Sequence, residues 1–417
     1  MFDRDLRRGW WFTIHKWVGI VAGLWILLLA LTGAVIAFHG ELRSALEKGL
    51  YRTGRCDVVP RFDLMEQAVV KAFPDFDIRR VERENIYCDE SYRFIIGEKN
   101  SASPISGTLW DTEVFVDPGD GRIIGSRPWL SVVQAAYQFH GFLLTGMAGR
   151  QVLGFLGLIL LTNVIAGVVV WWPRSGKIAL AFRVRWKGRA QVLFRDLHNV
   201  AGACAVPVLG LMLVTGLSLT FPEPVQKFLR LFADSQEVEK TATTDRQESR
   251  AVLSDLHNEM ASITAQHLAA ADQGPPKRAG LQAVYDSMEE ALPGHVPIRI
   301  YYPTGAVGGF FFYVSQGAGG GFSTTVTGYL NPFTARLFFR NDEHQQEVFQ
   351  WWVNWSFFAH SGKYFGLAGR IVVFVMAVIL VGLVATGLYL WLARPIPVPR
   401  RSKDRIPSST SIPSENT

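Results

Sequence analysis

Cysteine is scarce in this chain of 417 residues: there are three, and none forms a CxxC or CxxCH motif. Covalently attached c-type haem and iron–sulfur clusters therefore have no ligand set to draw on. The hydrolase signatures GxSxG and HExxH are missing, as is the phosphate-binding P-loop. The glycine-rich stretch ending at Gly321 lies between strand-like segments and reads as a hairpin loop, not a phosphate cradle. No flavin or nicotinamide domain is evident either. Charge is also sparse, at 19% of residues, and is absent from four long apolar runs, residues 17–38, 152–172, 200–221 and 371–391.

Each run holds about 20 residues, enough to cross a hydrocarbon core roughly 30 Å thick, so four transmembrane helices are expected. The first is too long for a signal peptide, lacks a small-residue cleavage motif and returns in kind at residue 200. The net charge of +6 is concentrated beside these runs and is no nucleic-acid footprint. Arg4, Arg7, Arg8 and Lys16 flank the first run. Arg174, Lys177, Arg183, Arg185, Lys187, Arg189 and Arg195 fill the link between the second and third. Arg394, Arg400, Arg401, Lys403 and Arg405 follow the fourth. Positive-inside bias then puts both termini and the middle link in the cytoplasm, with residues 40–139 and 222–359 outside. A bacterial inner membrane with the external segments in the periplasm fits this plan. Cys56 and Cys88 share the first external segment, where a disulfide can persist, and Cys204 reads as a small packing residue in mid-membrane.

The chain repeats itself. His140, Arg150, Gly167, Trp171 and Arg174 return as His360, Arg370, Gly387, Trp391 and Arg394, always 220 positions later. His15, Gly19, Thr32 and Gly33 return as His198, Gly202, Thr215 and Gly216, always 183 positions later. Histidines kept at both ends of duplicated apolar helices point to metal or haem ligands inside a two-fold bundle, since neutral imidazole suits iron. On the first helix His15, Gly19, Ala22, Ile26 and Gly33 share a face. On the third, His198, Gly202, Ala205, Leu209 and Gly216 do the same. The direct expectation is one haem between His15 and His198 at the cytoplasmic end. A second, between His140 and His360, is expected at the external end, where following glycines let a short interfacial helix turn back. His39 has Pro222 as its repeat partner, so it has no mate. It remains a candidate substitute ligand or entrance residue. Arg150 and Arg370, and less directly Arg174 and Arg394, are candidate partners of haem propionates. The aromatic cluster of residues 349–358 either cradles a ligand or packs the external part onto the membrane. His257, His267, His295 and His344 read as surface residues.

The external segments share an order of elements. An amphipathic helix at 62–73 precedes strand-like stretches at 77–82, 92–97 and 112–117, and a turn at Asp117-Pro118. A helix at 281–292 precedes strands at 298–302, 309–315 and 323–330, and a turn at Asn331-Pro332. Residues 234–279 read as a polar insertion, and the Pro- and Ser-rich tail after Arg394 as disordered. These paired modules resemble PepSY domains. The His-x-x-x-Gly … Thr-Gly and His … Gly-Arg … Trp-Trp-Pro-Arg patterns around them resemble the PepSY-associated transmembrane family over about residues 10–395.

The resemblance implies a membrane α-helical bundle of four transmembrane helices with an internal two-fold repeat, carrying two external α+β PepSY-like domains. The segments are then 10–39, 131–173, 196–221 and 346–393 for the helices. The external domains are 40–130 and 280–345, the second preceded by an external linker at 222–279; a cytoplasmic link at 174–195 joins the second and third helices, and a cytoplasmic tail follows at 394–417. It further implies a membrane b-type haem oxidoreductase, with two haem b per chain, that reduces a ferric siderophore. The donor would be a cytoplasmic reductase or flavin, or membrane quinol. The rival expectation is a non-redox scaffold whose PepSY modules bind a peptidase, peptide or partner. One geometric difficulty attends the redox reading: His15 and His39 are 24 positions apart, about 36 Å along a helix.

Overall fold

The computed structural model describes residues 2–84, 88–99, 111–173, 178–230, 277–303, 308–315, 325–341 and 348–393, with short pieces between 254 and 266. The helices that matter here are α1 (Phe2–Val21), α2 (Gly23–Ala37), α3 (His39–Leu46), α4 (Phe62–Ala72), α5 (Val132–Phe142), α6 (Met147–Trp171), α7 (Ala190–Thr220), α8 (Leu281–Ala291), α9 (Val348–His360) and α10 (Gly366–Leu392). The strands are β1 (Phe76–Glu82), β2 (Tyr92–Glu98), β3 (Thr112–Val116), β4 (Ile123–Pro128), β5 (Val296–Tyr301), β6 (Phe310–Ser315), β7 (Thr325–Leu330) and β8 (Leu337–Asn341). The tail after Arg394, most of the 234–279 insertion, Arg174, His267, His344 and the glycine-rich loop before Phe322 lie outside the described residues.

Three helices, α6, α7 and the one ending at Leu392, are long and apolar enough to cross a membrane. The first apolar run departs from a simple span. It is broken between Val21 and Gly23 into α1 and α2, which meet at a bend of 59°. Small residues at the break, Ala22 and Gly23, let helix α10 press in, with Val384 against Gly23. Packing recurs at the repeat offsets: α1 lies on α6 and α2 on α10, while α7 lies on both α10 and α6. Cys204 faces outward from α7 and is not the interior packing residue expected; the buried position is its neighbour Ala205.

The two helix-and-strand modules form one sheet. Eight strands run in the order β4-β3-β2-β1-β5-β6-β7-β8, and the halves join through antiparallel pairing of β1 with β5, Val81 opposite Ile300. Alternation sets its two faces. Tyr92, Phe94 and Ile96 from β2, Val114 and Val116 from β3, and Phe310 and Phe312 from β6 point one way. They pack against α4 and α8, whose buried residues Phe62, Met65 and Val69, and Leu281, Val284 and Met288, recur at helical spacing. Each helix caps the other: Gln282 accepts from the Phe62 backbone at 2.8 Å, and Glu66 from the Leu281 backbone at 2.7 Å. Free N–H groups at a helix start need such acceptors, so the halves complete one another. Cys56 and Cys88 form a disulfide within the first half.

The opposite face of the first half is charged although buried. Arg93 reaches Glu82 at 3.2 Å, Glu84 at 2.9 Å and Glu113 at 3.3 Å. Glu82 also meets Arg80 at 3.3 Å and Arg299, from β5, at 3.0 Å. Helix α3 covers this face: Arg43 binds Glu84 at 2.8 Å and the Gln134 amide of α5 at 2.8 Å. Burial alone would raise the Glu84 carboxyl, but the charges of His39, Arg93 and Arg43 outweigh it and hold it well below the usual carboxylate range. An ion pair and a hydrogen bond of Arg43 thereby fasten the sheet to helices α3 and α5.

Candidate functional site

His140 closes α5 and His360 closes α9, and after each the chain turns back into a long helix. The first reversal uses Leu143, Leu144 and Gly146 in the positive-φ region, and the second uses Gly362 and Gly366. Gly149 and Gly369 lie where any side chain would collide with the Phe142 and Gly362 carbonyls, so the hairpins close only because these positions are bare. Both reversals direct their histidine inward against the long helices.

There the four imidazoles meet in the pairs His15 with His198 and His140 with His360. The ring centres are 6.2 Å apart in the first pair and 6.3 Å in the second. Each ring lies over a glycine of a neighbouring helix: His15 over Gly167, His198 over Gly387, His140 over Gly33 and His360 over Gly216, where an added Cβ would stand 3.0–3.4 Å from the ring Cε1. These four glycines belong to the two repeat blocks.

The hydrogen bonds fix the tautomer. His15 Nδ1 donates to the Asn163 carbonyl at 3.0 Å, His140 Nδ1 to Leu29 at 3.0 Å and His360 Nδ1 to Met212 at 3.0 Å. His198 bonds the Leu383 carbonyl and, at 2.9 Å, the Thr386 hydroxyl. A carbonyl only accepts, so each Nδ1 carries the proton and each Nε2 keeps its lone pair. Among the described residues no hydrogen bond engages these Nε2 atoms.

This geometry can be compared with a shared metal. Metal–imidazole bonds of about 2.0 Å, with about 1.1 Å from each nitrogen to its ring centre, put two axial imidazoles about 6.2 Å apart. Both pairs have that spacing, and both have the backbone-anchored second nitrogen that ligating histidines usually show. Glycine beneath each ring lets the imidazole lie close against the neighbouring helix. The residues fit a bis-imidazole haem at each end. Among the described residues no cluster of three or more His, Cys, Asp or Glu forms a different kind of metal site.

The remaining candidates are placed elsewhere. His39 has both ring nitrogens engaged, with the Ile36 carbonyl at 2.9 Å and Glu84 at 3.2 Å, so it ties α2 to the sheet and has no lone pair to offer iron. Arg150 donates to the Leu219 carbonyl at the end of α7. Arg370 donates to the Ala37 carbonyl at 2.8 Å at the end of α2 and pairs with Glu41 at 2.5 Å. Both arginines thus satisfy helix-end carbonyls, a role that the charge pattern alone did not distinguish from propionate binding. Trp352 donates to Ser218 at 3.0 Å and fastens α9 to α7, which makes part of the aromatic cluster a packing device. His257 is exposed, and His295 directly precedes β5 with its Nδ1 3.4 Å from the Pro293 carbonyl.

The distance between the pairs is shorter than the His15–His39 separation implied. The His140 and His360 rings rest at Gly33 and Gly216, 18 positions from His15 and His198 respectively, about 27 Å along a straight helix and less across the bend. Trp25 of α2 stacks on Phe139, the neighbour of His140, with ring centres 6.4 Å apart.

The chain belongs to the family of the PepSY-associated TM region, whose model matches residues 12–394. Comparison with curated proteins returned no match. Family and apolar helices together make this a membrane protein whose helices contact lipid.

Proposed function

We propose that this chain is a transmembrane oxidoreductase that takes electrons from a cytoplasmic-side donor and delivers them to a ferric siderophore in the periplasm, releasing Fe(II). In this reading the bent pair α1–α2 is one span, so four spans form a two-fold bundle in a bacterial inner membrane. Both termini are cytoplasmic and the eight-stranded sheet is periplasmic.

The observation that carries it is the pairing of four imidazoles, from positions 183 and 220 apart, at ring-centre spacings that would suit two imidazoles sharing one metal. His15 with His198 and His140 with His360 would hold haem b, which when bound would supply one-electron redox chemistry at both ends of the bundle. The residues do the rest. Backbone carbonyls hold each Nδ1–H, so every Nε2 faces its task deprotonated. Glycines let each imidazole lie close against its neighbouring helix, and the apolar helices exclude water. At the external face, ion pairs of Arg43, Glu84 and Arg93 hold the sheet over the outer pair. One electron per ferric chelate is enough, because hard oxygen donors hold Fe(II) far less strongly than Fe(III). The donor is a cytoplasmic reductase or flavin, or quinol.

The test is an absorption spectrum of the purified chain. Reduction with dithionite should give Soret and alpha bands of b-type haem, and adding a ferric siderophore with a ferrous chelator should re-oxidise them while the ferrous complex appears. A folded, colourless protein would leave only the scaffold reading. A second expectation follows from the glycines. Gly167→Val puts a branched side chain against His15 and should lower haem content by about half, while Gly210→Val, at an open helix position with nothing within 4 Å, should leave it unchanged. Equal loss in both would mean that the glycines serve general helix packing.

A further inference from the structure

Three of the four imidazoles have a second acceptor besides a main-chain carbonyl. Thr32 Oγ1 lies 3.2 Å from His140 Nδ1, Thr215 Oγ1 lies 3.1 Å from His360 Nδ1, and Thr386 Oγ1 lies 2.9 Å from His198 Nδ1. In each case the hydroxyl proton is already committed. Thr32 donates to Leu28 at 2.7 Å, Thr215 to Leu211 at 2.7 Å and Thr386 to Gly382 at 2.7 Å. Each hydroxyl oxygen therefore turns a lone pair to the imidazole N–H. Every one of these threonines directly precedes the glycine on which the ring lies. The fourth such position, beside His15 and before Gly167, is Ala166, which is fully buried and carries no hydroxyl.

Resting on the two-haem reading above, we infer that Thr32, Thr215 and Thr386 are positioning residues that tune the electron-donating strength of the ligand histidines, and that Ala166 leaves His15 the least polarised of the four. An acceptor on Nδ1–H pushes electron density toward Nε2, which favours Fe(III) over Fe(II) and lowers the potential of the site. The outer pair has two hydroxyl acceptors and the inner pair has one. This contribution sets the inner site above the outer one and makes the two potentials unequal within an otherwise repeated framework. Through it alone, outward transfer runs uphill, so the external acceptor has to draw the electron out.

Spectroelectrochemical titration of the full, haem-loaded chain in detergent tests this. The couple lost in His15→Ala is the inner one. Thr386→Val keeps the volume and removes the hydroxyl. It should raise the inner potential, changing the reduced-to-oxidised ratio at fixed applied potential by about fivefold. Thr386→Ser should restore the original value. The double variant Thr32→Val, Thr215→Val should raise only the outer couple, and Ala166→Ser should lower the inner one. If Thr386→Val and Thr386→Ser titrate alike, or neither couple moves, the tuning role is wrong even though haem is bound. If the chain carries no haem, the functional reading falls first and this inference with it.

Discussion

His15→Ala and His140→Ala should each retain about one haem of two, and the double variant none, by pyridine haemochrome quantification per chain. The expectation rests on how little else each site offers. Its iron would have two protein ligands, and no spare His, Cys, Asp or Glu cluster stands by among the described residues. His39 cannot substitute for a lost outer ligand, since Ile36 and Glu84 occupy both its nitrogens. His39→Ala should therefore keep the full haem content. The histidine left alone after its mate is removed still has its Nδ1 fixed, so the surviving pair should be unaffected. Unchanged haem in both single variants would reject the ligand assignment, and loss of both haems from either would mean that the pairs are not independent.

Glu82→Gln should destabilise the eight-stranded sheet by about 3 kcal/mol, because it leaves buried guanidiniums without their counter-charge. Glu82 and Arg93 are both almost fully buried, and Glu82 also answers Arg80 on its own strand and Arg299 across the β1–β5 junction. Hydrogen exchange of the sheet amides in the intact protein measures the loss. Its pH dependence has a definite sign. Burial works to raise the Glu82 and Glu84 carboxyls, but the surrounding cations outweigh it and depress both. A depressed folded value means a contribution fully present above the unfolded carboxylate value of about 4.3, lost as pH falls toward the folded one. Protection should thus be level from neutral pH to about 5 and fall below it, less steeply in Glu82→Gln. Equal slopes in the two proteins would show that other carboxylates govern the acid response.

Much of this was legible in the chain itself. The helices at 62–72 and 281–291 and the first three strands of each half showed through because apolar spacing reports a buried face directly. The constant offsets of 183 and 220 marked the four histidines and the four glycines beneath them, although not which ring lies on which glycine. Other features left no such trace. Asn163, Leu29 and Met212 act through backbone carbonyls, which any residue possesses. Thr386 could have been found, since within the apolar runs Thr-Gly recurs at 32, 215 and 386, but the pattern does not say that its oxygen meets an imidazole.

By itself, then, the sequence determined the local elements, the apolar runs and the repeat, because hydrophobic period and chain offset are properties of neighbours along the chain. Tertiary structure alone decided that two modules share one sheet through β1 and β5, that the first run bends at Ala22, and that His39 turns to Glu84 while its fellows meet in pairs. Each of those outcomes joins residues far apart in the chain. It is set by which partner satisfies a strand edge, a helix end or a buried charge at least cost, and that competition is resolved only in three dimensions.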